Sequence, residues 1–120
     1  MFTSPGVVKT VMDEHHRVLY FSRQPVPAQS RDKFSYAFKQ IGIYLFKKDF
    51  LLQFSAWPQT PLEGIEGVDM MRILENGHPI QGFVSHDTIS VDTPQDLAFA
   101  EEIIRQDPLY QKVFAVQELS

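Results

Sequence analysis

The chain has 120 residues, 43% hydrophobic and 22% charged, with a formal net charge of −4, no cysteine and ten phenylalanines. That length suits one domain over residues 1–120 with a real core, and the lack of cysteine excludes disulfides and thiolate metal sites. The acidic balance without a basic stripe argues against nucleic acid as a partner, no apolar run is long enough to cross a membrane, and the N-terminus lacks the order of a signal peptide, so a cytoplasmic protein is expected.

Residues 7–12 and 18–22 are rich in β-formers, and the polar run 13–17 between them has hairpin length, so an antiparallel hairpin is expected. His15 and His16 are adjacent, which in a strand sends them to opposite faces, and no third ligand is near; a solvated turn fits better than a metal site. Arg23 follows the second strand directly. Pro25 and Pro27 then end regular structure, and the polar residues over 28–33 read as a surface loop. Arg23 thus sits where strand becomes loop. There it can grip a carboxylate with two parallel hydrogen bonds, or be a surface charge with a packed stem.

Residues 38–46 carry the strongest strand signal, nearly continuous in apolar character, and read as a central strand. Gly42 inside it suggests a close approach of backbone or ligand. Gln40 and Tyr44 share one side of the strand with Gly42 between them. This predicts a notch flanked by an amide and a phenol, suited to a polyol, unless Tyr44 packs into the core with its hydroxyl satisfied.

Residues 47–57 read as a helix, with Phe46, Phe50, Phe54 and Trp57 forming an aromatic stripe for core or subunit packing. Pro58 stops it. Thr60, Pro61 and Glu63 occupy N-cap, first and third helical positions, and a helix should run to Glu75, where Asn76 and Gly77 end it. On that helix Asp69 falls within the apolar stripe, which is costly unless the carboxylate is paired or faces a cavity. Arg72, three residues on, can pair it; otherwise Asp69 is an acceptor aimed into a pocket, where it can bind sugar hydroxyls.

Residues 80–85 read as a short strand and 86–88 as a bend. The apolar run 89–91 leads to Asp92, and Thr93, Pro94 and Asp96 repeat the capping pattern for a helix to Arg105. Asp107 and Pro108 end that helix, and residues 109–114 suit one more. Asp92 lies where a strand would meet a helix. There it either supports the turn or holds a divalent cation that in turn holds a phosphate. The sequence has no glycine-rich phosphate loop, no assignable Ser-His-Asp triad and no HExxH motif. Any catalysis must be metal-assisted or positional.

Four motifs occur in order. Residues 19–27 read LYFSRQPVP, 39–44 KQIGIY, 60–63 TPLE followed by Glu66, Asp69 and Arg72, and 91–97 VDTPQDL. Together they resemble 3-deoxy-manno-octulosonate cytidylyltransferase, the CMP-Kdo synthetase family, over most of residues 7–104. The resemblance implies an α/β fold: the mixed-sheet C-terminal portion of a Rossmann-like nucleotidyltransferase, with a β-hairpin and three to four helices. It also implies transfer of cytidylyl from CTP to the eight-carbon sugar acid Kdo, with magnesium, for lipopolysaccharide biosynthesis. By resemblance Arg23 clamps the sugar carboxylate, Gln40, Tyr44 and Asp69 bind its hydroxyls, and Asp92 holds magnesium. The family's usual histidine is Gln40 here, its usual Glu-Gln pair is Asp69-Met70, and its usual glycine before the motif aspartate is Ser90. The nucleotide-binding N-terminal half is not in these residues. The resemblance therefore implies a sugar-binding and dimerising part, a homodimer, that engages CTP only with the missing half and is inactive alone. The alternative is a non-catalytic dimerisation or sugar-acid-binding module derived from the family.

Overall fold

The computed structural model describes residues 2–28, 37–86 and 88–118. The loop expected over 28–33 lies almost wholly outside them, as does Asp87 of the expected bend. The chain divides into two compact units, Met1–Val84 and Ser85–Ser120.

The first unit is built on the hairpin. Strand β1 (Lys9–Met12) pairs antiparallel with β2 (Val18–Ser22), with Lys9 opposite Ser22 and Val11 opposite Tyr20. The polar run between them closes by side-chain chemistry, since the Asp13 carboxylate accepts the amides of His15 and Arg17, both at 2.9 Å. Those bonds hold the Asp13 carboxyl below its ordinary value, the Arg17 amide contributing most. His15 and His16 are exposed in this turn.

The third strand differs from expectation. Only Phe38–Lys39 joins the ladder as β3, and the order β2-β1-β3 puts it at the edge, with β1 central. Gln40 adds one bond, its amide to the Val8 carbonyl at 2.8 Å, and the ladder then ends. The physical reason lies at Gly42, whose φ of 86° is incompatible with a β-strand. Nothing approaches the position of its missing Cβ, so the glycine serves backbone conformation and not the close approach expected of it. Beyond it Ile43 and Leu45 are 81% and 95% exposed, the opposite of a buried central strand.

Helix α1 (Lys48–Ala56) forms as expected. Phe46 and Phe54 lie 5.7 Å apart centre to centre, Phe50 packs edge-on to Trp57 at 5.8 Å, and His78 fits between Phe50 and Trp57. The helix expected over 60–75 is divided into α2 (Pro61–Glu66) and α3 (Met71–Glu75). Gly67 causes the break. It takes the left-handed conformation, φ 63° and ψ 41°, and its amide bonds the Glu63 carbonyl at 2.8 Å. The two pieces are tied back together by Glu75, whose carboxylate accepts the Leu62 and Glu63 amides at the start of α2. The core comprises Met12, Val18 and Phe21 of the hairpin against Val68, Met70, Met71 and Ile73, with the α1 aromatics packed on it.

Residues 80–82 lie along the hairpin without forming the expected strand. Among the described residues a single bridge joins Arg17 and Gln81, flanked by the Val18 amide to the Ile80 carbonyl at 2.9 Å and the Gly82 amide to the His16 carbonyl at 2.7 Å. A Cβ at Gly82 would collide with the Met12 sulfur, so the pairing ends at a position with no room for a side chain.

The second unit consists of α4 (Pro94–Arg105) and α5 (Pro108–Glu118). The expected cap is present: the Asp96 amide donates to Thr93 Oγ1 at 3.1 Å, and the Thr93 amide to Asp96 Oδ2 at 3.0 Å. These bonds hold the Asp96 carboxyl below its ordinary value, the Thr93 hydroxyl contributing most. Among the described residues no helix is long and apolar enough to cross a membrane.

Candidate functional site

Arg23, Gln40, Tyr44 and Asp69 come together in the first unit around one cleft of about 190 Å³, whose lining Val8, Gly67, Val68 and Met70 complete. These four polar residues span 47 positions of sequence and belong to three different elements or their connections. Arg23 comes from the end of β2, Gln40 and Tyr44 from the extended segment after β3, and Asp69 from the turn between α2 and α3. Gly42 is absent from the lining, so the notch is formed across the α2–α3 turn and not around the glycine.

Dividing the helix changes the reading of Asp69. In a turn it no longer lies in an apolar stripe; it is exposed. Nor does Arg72 pair with it. The Arg72 guanidinium meets Glu63 instead, Nε to Oε2 at 2.8 Å and Nη2 to Oε1 at 2.5 Å, and lies over the Phe54 ring. Asp69 is left to face the cleft beside Tyr44. Burial, and then the Asp69 charge, push the Tyr44 phenol above its ordinary value. Tyr44 is 39% exposed, so its hydroxyl is not the satisfied core group considered above.

Arg23 is held on backbone oxygens. Nε donates to the Glu66 carbonyl at 3.0 Å, Nη2 to the Gly67 carbonyl at 2.9 Å and Nη1 to the Pro5 carbonyl at 3.1 Å. Three of the five donors of a guanidinium are thus occupied, which leaves one on each terminal nitrogen. Gly67 serves this arrangement twice. Its left-handed φ breaks the helix, and a Cβ there would press on Arg23 Nε at 3.4 Å. Gln40 contributes an oxygen, Oε1, that is buried and has no hydrogen-bond partner among the described residues, a cost that a ligand donor would remove.

Sequence reasoning missed Lys9, which is 1% exposed and gives its ammonium to three carbonyls, those of Ser4, Val7 and Arg23. Burial, and then the Arg23 charge, lower its pKa. A lone lysine inside a β-rich apolar run was the signal available for it. Glu66 was noted as part of a motif but without a role. Its carboxylate accepts Tyr20 Oη, Ser22 Oγ and the Arg23 amide, all at 3.0–3.1 Å. Burial pushes the Glu66 carboxyl up, but the Arg23 amide, the two hydroxyls and the Arg23 charge together hold it below its ordinary value.

Asp92 belongs to the second unit. It is exposed, and its amide donates to Asp96 Oδ2 at 3.2 Å. Among the described residues no group of three His, Cys, Asp or Glu side chains is placed to hold a metal ion. Asp92 offers a cation one carboxylate, while Asp96 is committed to capping α4.

The cleft has a cationic fork, an amide, a phenol and a carboxylate on one small surface. It suits a ligand with one anionic group and several hydroxyls. Comparison with known proteins gives the context. The cytidylyltransferase family model matches residues 2–89. The chain is 42% identical over 115 residues to the 3-deoxy-manno-octulosonate cytidylyltransferase of Syntrophotalea carbinolica, covering 87% of this chain and 46% of the relative. It is 43% identical over 105 residues to that of Koribacter versatilis, covering 85% and 40%. A solved structure of CMP:2-keto-3-deoxy-manno-octonic acid synthetase complexed with CTP superimposes with a TM-score of 0.79 at 30% identity, over 88% of this chain and 44% of that one. The chain spans about half the length of the curated relatives it matches.

Proposed function

The chain belongs to the cytidylyltransferase family, and on that premise we propose that it is the sugar-acid-binding part of an enzyme that activates 3-deoxy-manno-octulosonate with CTP, yielding CMP-Kdo and diphosphate for lipopolysaccharide biosynthesis. The observation that carries this reading is the convergence of Arg23, Gln40, Tyr44 and Asp69 on one cleft. Arg23 receives the sugar carboxylate on its two remaining donors. Gln40 Oε1, the Tyr44 hydroxyl and the Asp69 carboxylate take the sugar hydroxyls, an arrangement that fixes the ring and its anomeric hydroxyl.

The reaction joins the anomeric oxygen to the α-phosphorus of CTP and breaks the bond to the departing diphosphate. It needs charge neutralisation and alignment more than a covalent intermediate. In this reading the nucleotide-binding half is supplied by residues outside these 120, and the chain alone is inactive. Asp92 would give one carboxylate to a magnesium ion in the complete enzyme, and the chemistry the ion would supply there is neutralisation of phosphate charge. The protein works in the cytoplasm as a homodimer, with exposed apolar residues such as Ile43, Leu45 and Phe83 available for burial.

Reconstitution tests the proposal. The purified chain is mixed with a chain carrying the nucleotide-binding half of a relative, CTP, magnesium and Kdo. Diphosphate release only in the mixture supports the enzyme reading. Its absence from the mixture, with the two chains shown to associate, favours the non-catalytic module.

A further inference from the structure

Both ends of the Arg23 residue are held by charged groups that do not line the cleft, the buried Lys9 and the half-buried Glu66. Glu66 Oε2 accepts its amide at 3.1 Å, and Lys9 Nζ donates to its carbonyl at 2.6 Å. Main-chain carbonyls hold the guanidinium, including that of Glu66 itself at 3.0 Å. Lys9 has its three donors on three carbonyls, and Glu66 is further oriented by Tyr20 and Ser22. Lys9 and Ser22 are 1% and 2% exposed, so desolvation has been accepted here for groups that contact no ligand-facing surface. A surface arginine with only a solubilising role gains little from such a cradle. An arginine that must present two N–H groups in one direction gains much, because a preorganised fork loses less entropy when a carboxylate arrives.

We propose that Lys9 and Glu66 are positioning residues that fix Arg23 for a carboxylate ligand. This rests on the sugar-acid reading of the cleft, and the test separates the two. The probes are Kdo binding by calorimetry and the hydrogen exchange of the Arg23 Nε–H group by NMR, both on the 120-residue chain. Lys9→Met and the isosteric Glu66→Gln are each expected to weaken Kdo binding by about tenfold or more and to speed Nε–H exchange by roughly tenfold. Binding lost without faster exchange, or faster exchange with full binding, overturns the proposal. If Lys9→Met does not fold, Glu66→Gln decides by the same criteria. If the unsubstituted chain binds no Kdo, the cleft reading fails. The exchange measurement then decides the positioning claim alone, unchanged exchange overturning it and faster exchange supporting it.

Discussion

Arg72 pairs with Glu63, nine residues before it, and not with Asp69, three residues before it. The choice follows from the left-handed turn at Gly67, which ends one helix and starts the next in a new direction. The pair locks α2 to α3, and it leaves the Asp69 carboxylate to the cleft. Glu63 is 3% exposed and is also bonded by the Thr60 amide at 3.1 Å.

The pair makes stability sensitive to acid. The Arg72 hydrogen bonds, opposed by burial and helped by Thr60, hold the Glu63 carboxyl below its ordinary 4.5. A carboxyl depressed on folding contributes stability that is complete above the unfolded value and lost as pH falls through the folded one. Thermal unfolding followed by circular dichroism should therefore show a falling midpoint below pH 4.5. Glu63→Gln should lower the midpoint at neutral pH and flatten its decline in acid. A decline as steep in Glu63→Gln as in the parent would contradict the assignment.

Gly67 and Gly77 provide a matched pair. Both have positive φ, 63° and 78°, but only Gly67 has Arg23 against it. Alanine at either should cost about 1 kcal/mol in urea unfolding, from left-handed backbone strain alone. Only Gly67→Ala should also weaken Kdo binding, because its methyl presses on Arg23 Nε. Equal binding by the two variants would show that the contact with Arg23 is immaterial.

The Asp69 charge should be felt at the Tyr44 phenol. With 13C-labelled tyrosine, the Tyr44 phenol should titrate above an ordinary tyrosine, and Asp69→Asn should bring it part of the way back. Burial, the larger cause, remains after that substitution. A Tyr44 titration indifferent to Asp69→Asn would separate the two residues and undo one wall of the cleft.

Asp92 supplies one carboxylate, and Asp96 is bound up in the cap of α4. Magnesium titrated into the isolated chain should therefore bind more weakly than about 1 mM, since useful affinity for hard cations needs several oxygen ligands. Saturable binding well below that, abolished by Asp92→Asn, would show that this chain completes a metal site by itself.

The hairpin, α1 and α4 were legible in the sequence because each rests on local rules: alternating β-formers about a polar turn, an aromatic stripe, and a Thr-Pro-x-Asp cap. The third strand and the helix over 60–75 were misjudged because one glycine in each adopts a left-handed φ that hydropathy patterns do not register. The four cleft residues were legible one at a time, and their common motif order marked them together. The cradle around Arg23 was not legible. Lys9 and Glu66 act on it from 14 and 43 positions away, through backbone atoms that carry no sequence signature.

The most direct measurement is a Kdo titration of the 15N-labelled chain followed by NMR. The amides of Arg23, Gln40, Tyr44 and Asp69 are expected to shift together and saturably, and Arg23→Ala is expected to abolish the response while the fold persists. Shifts confined to other residues, no shifts at all, or an undiminished response in Arg23→Ala would contradict the assignment of this cleft to a sugar acid.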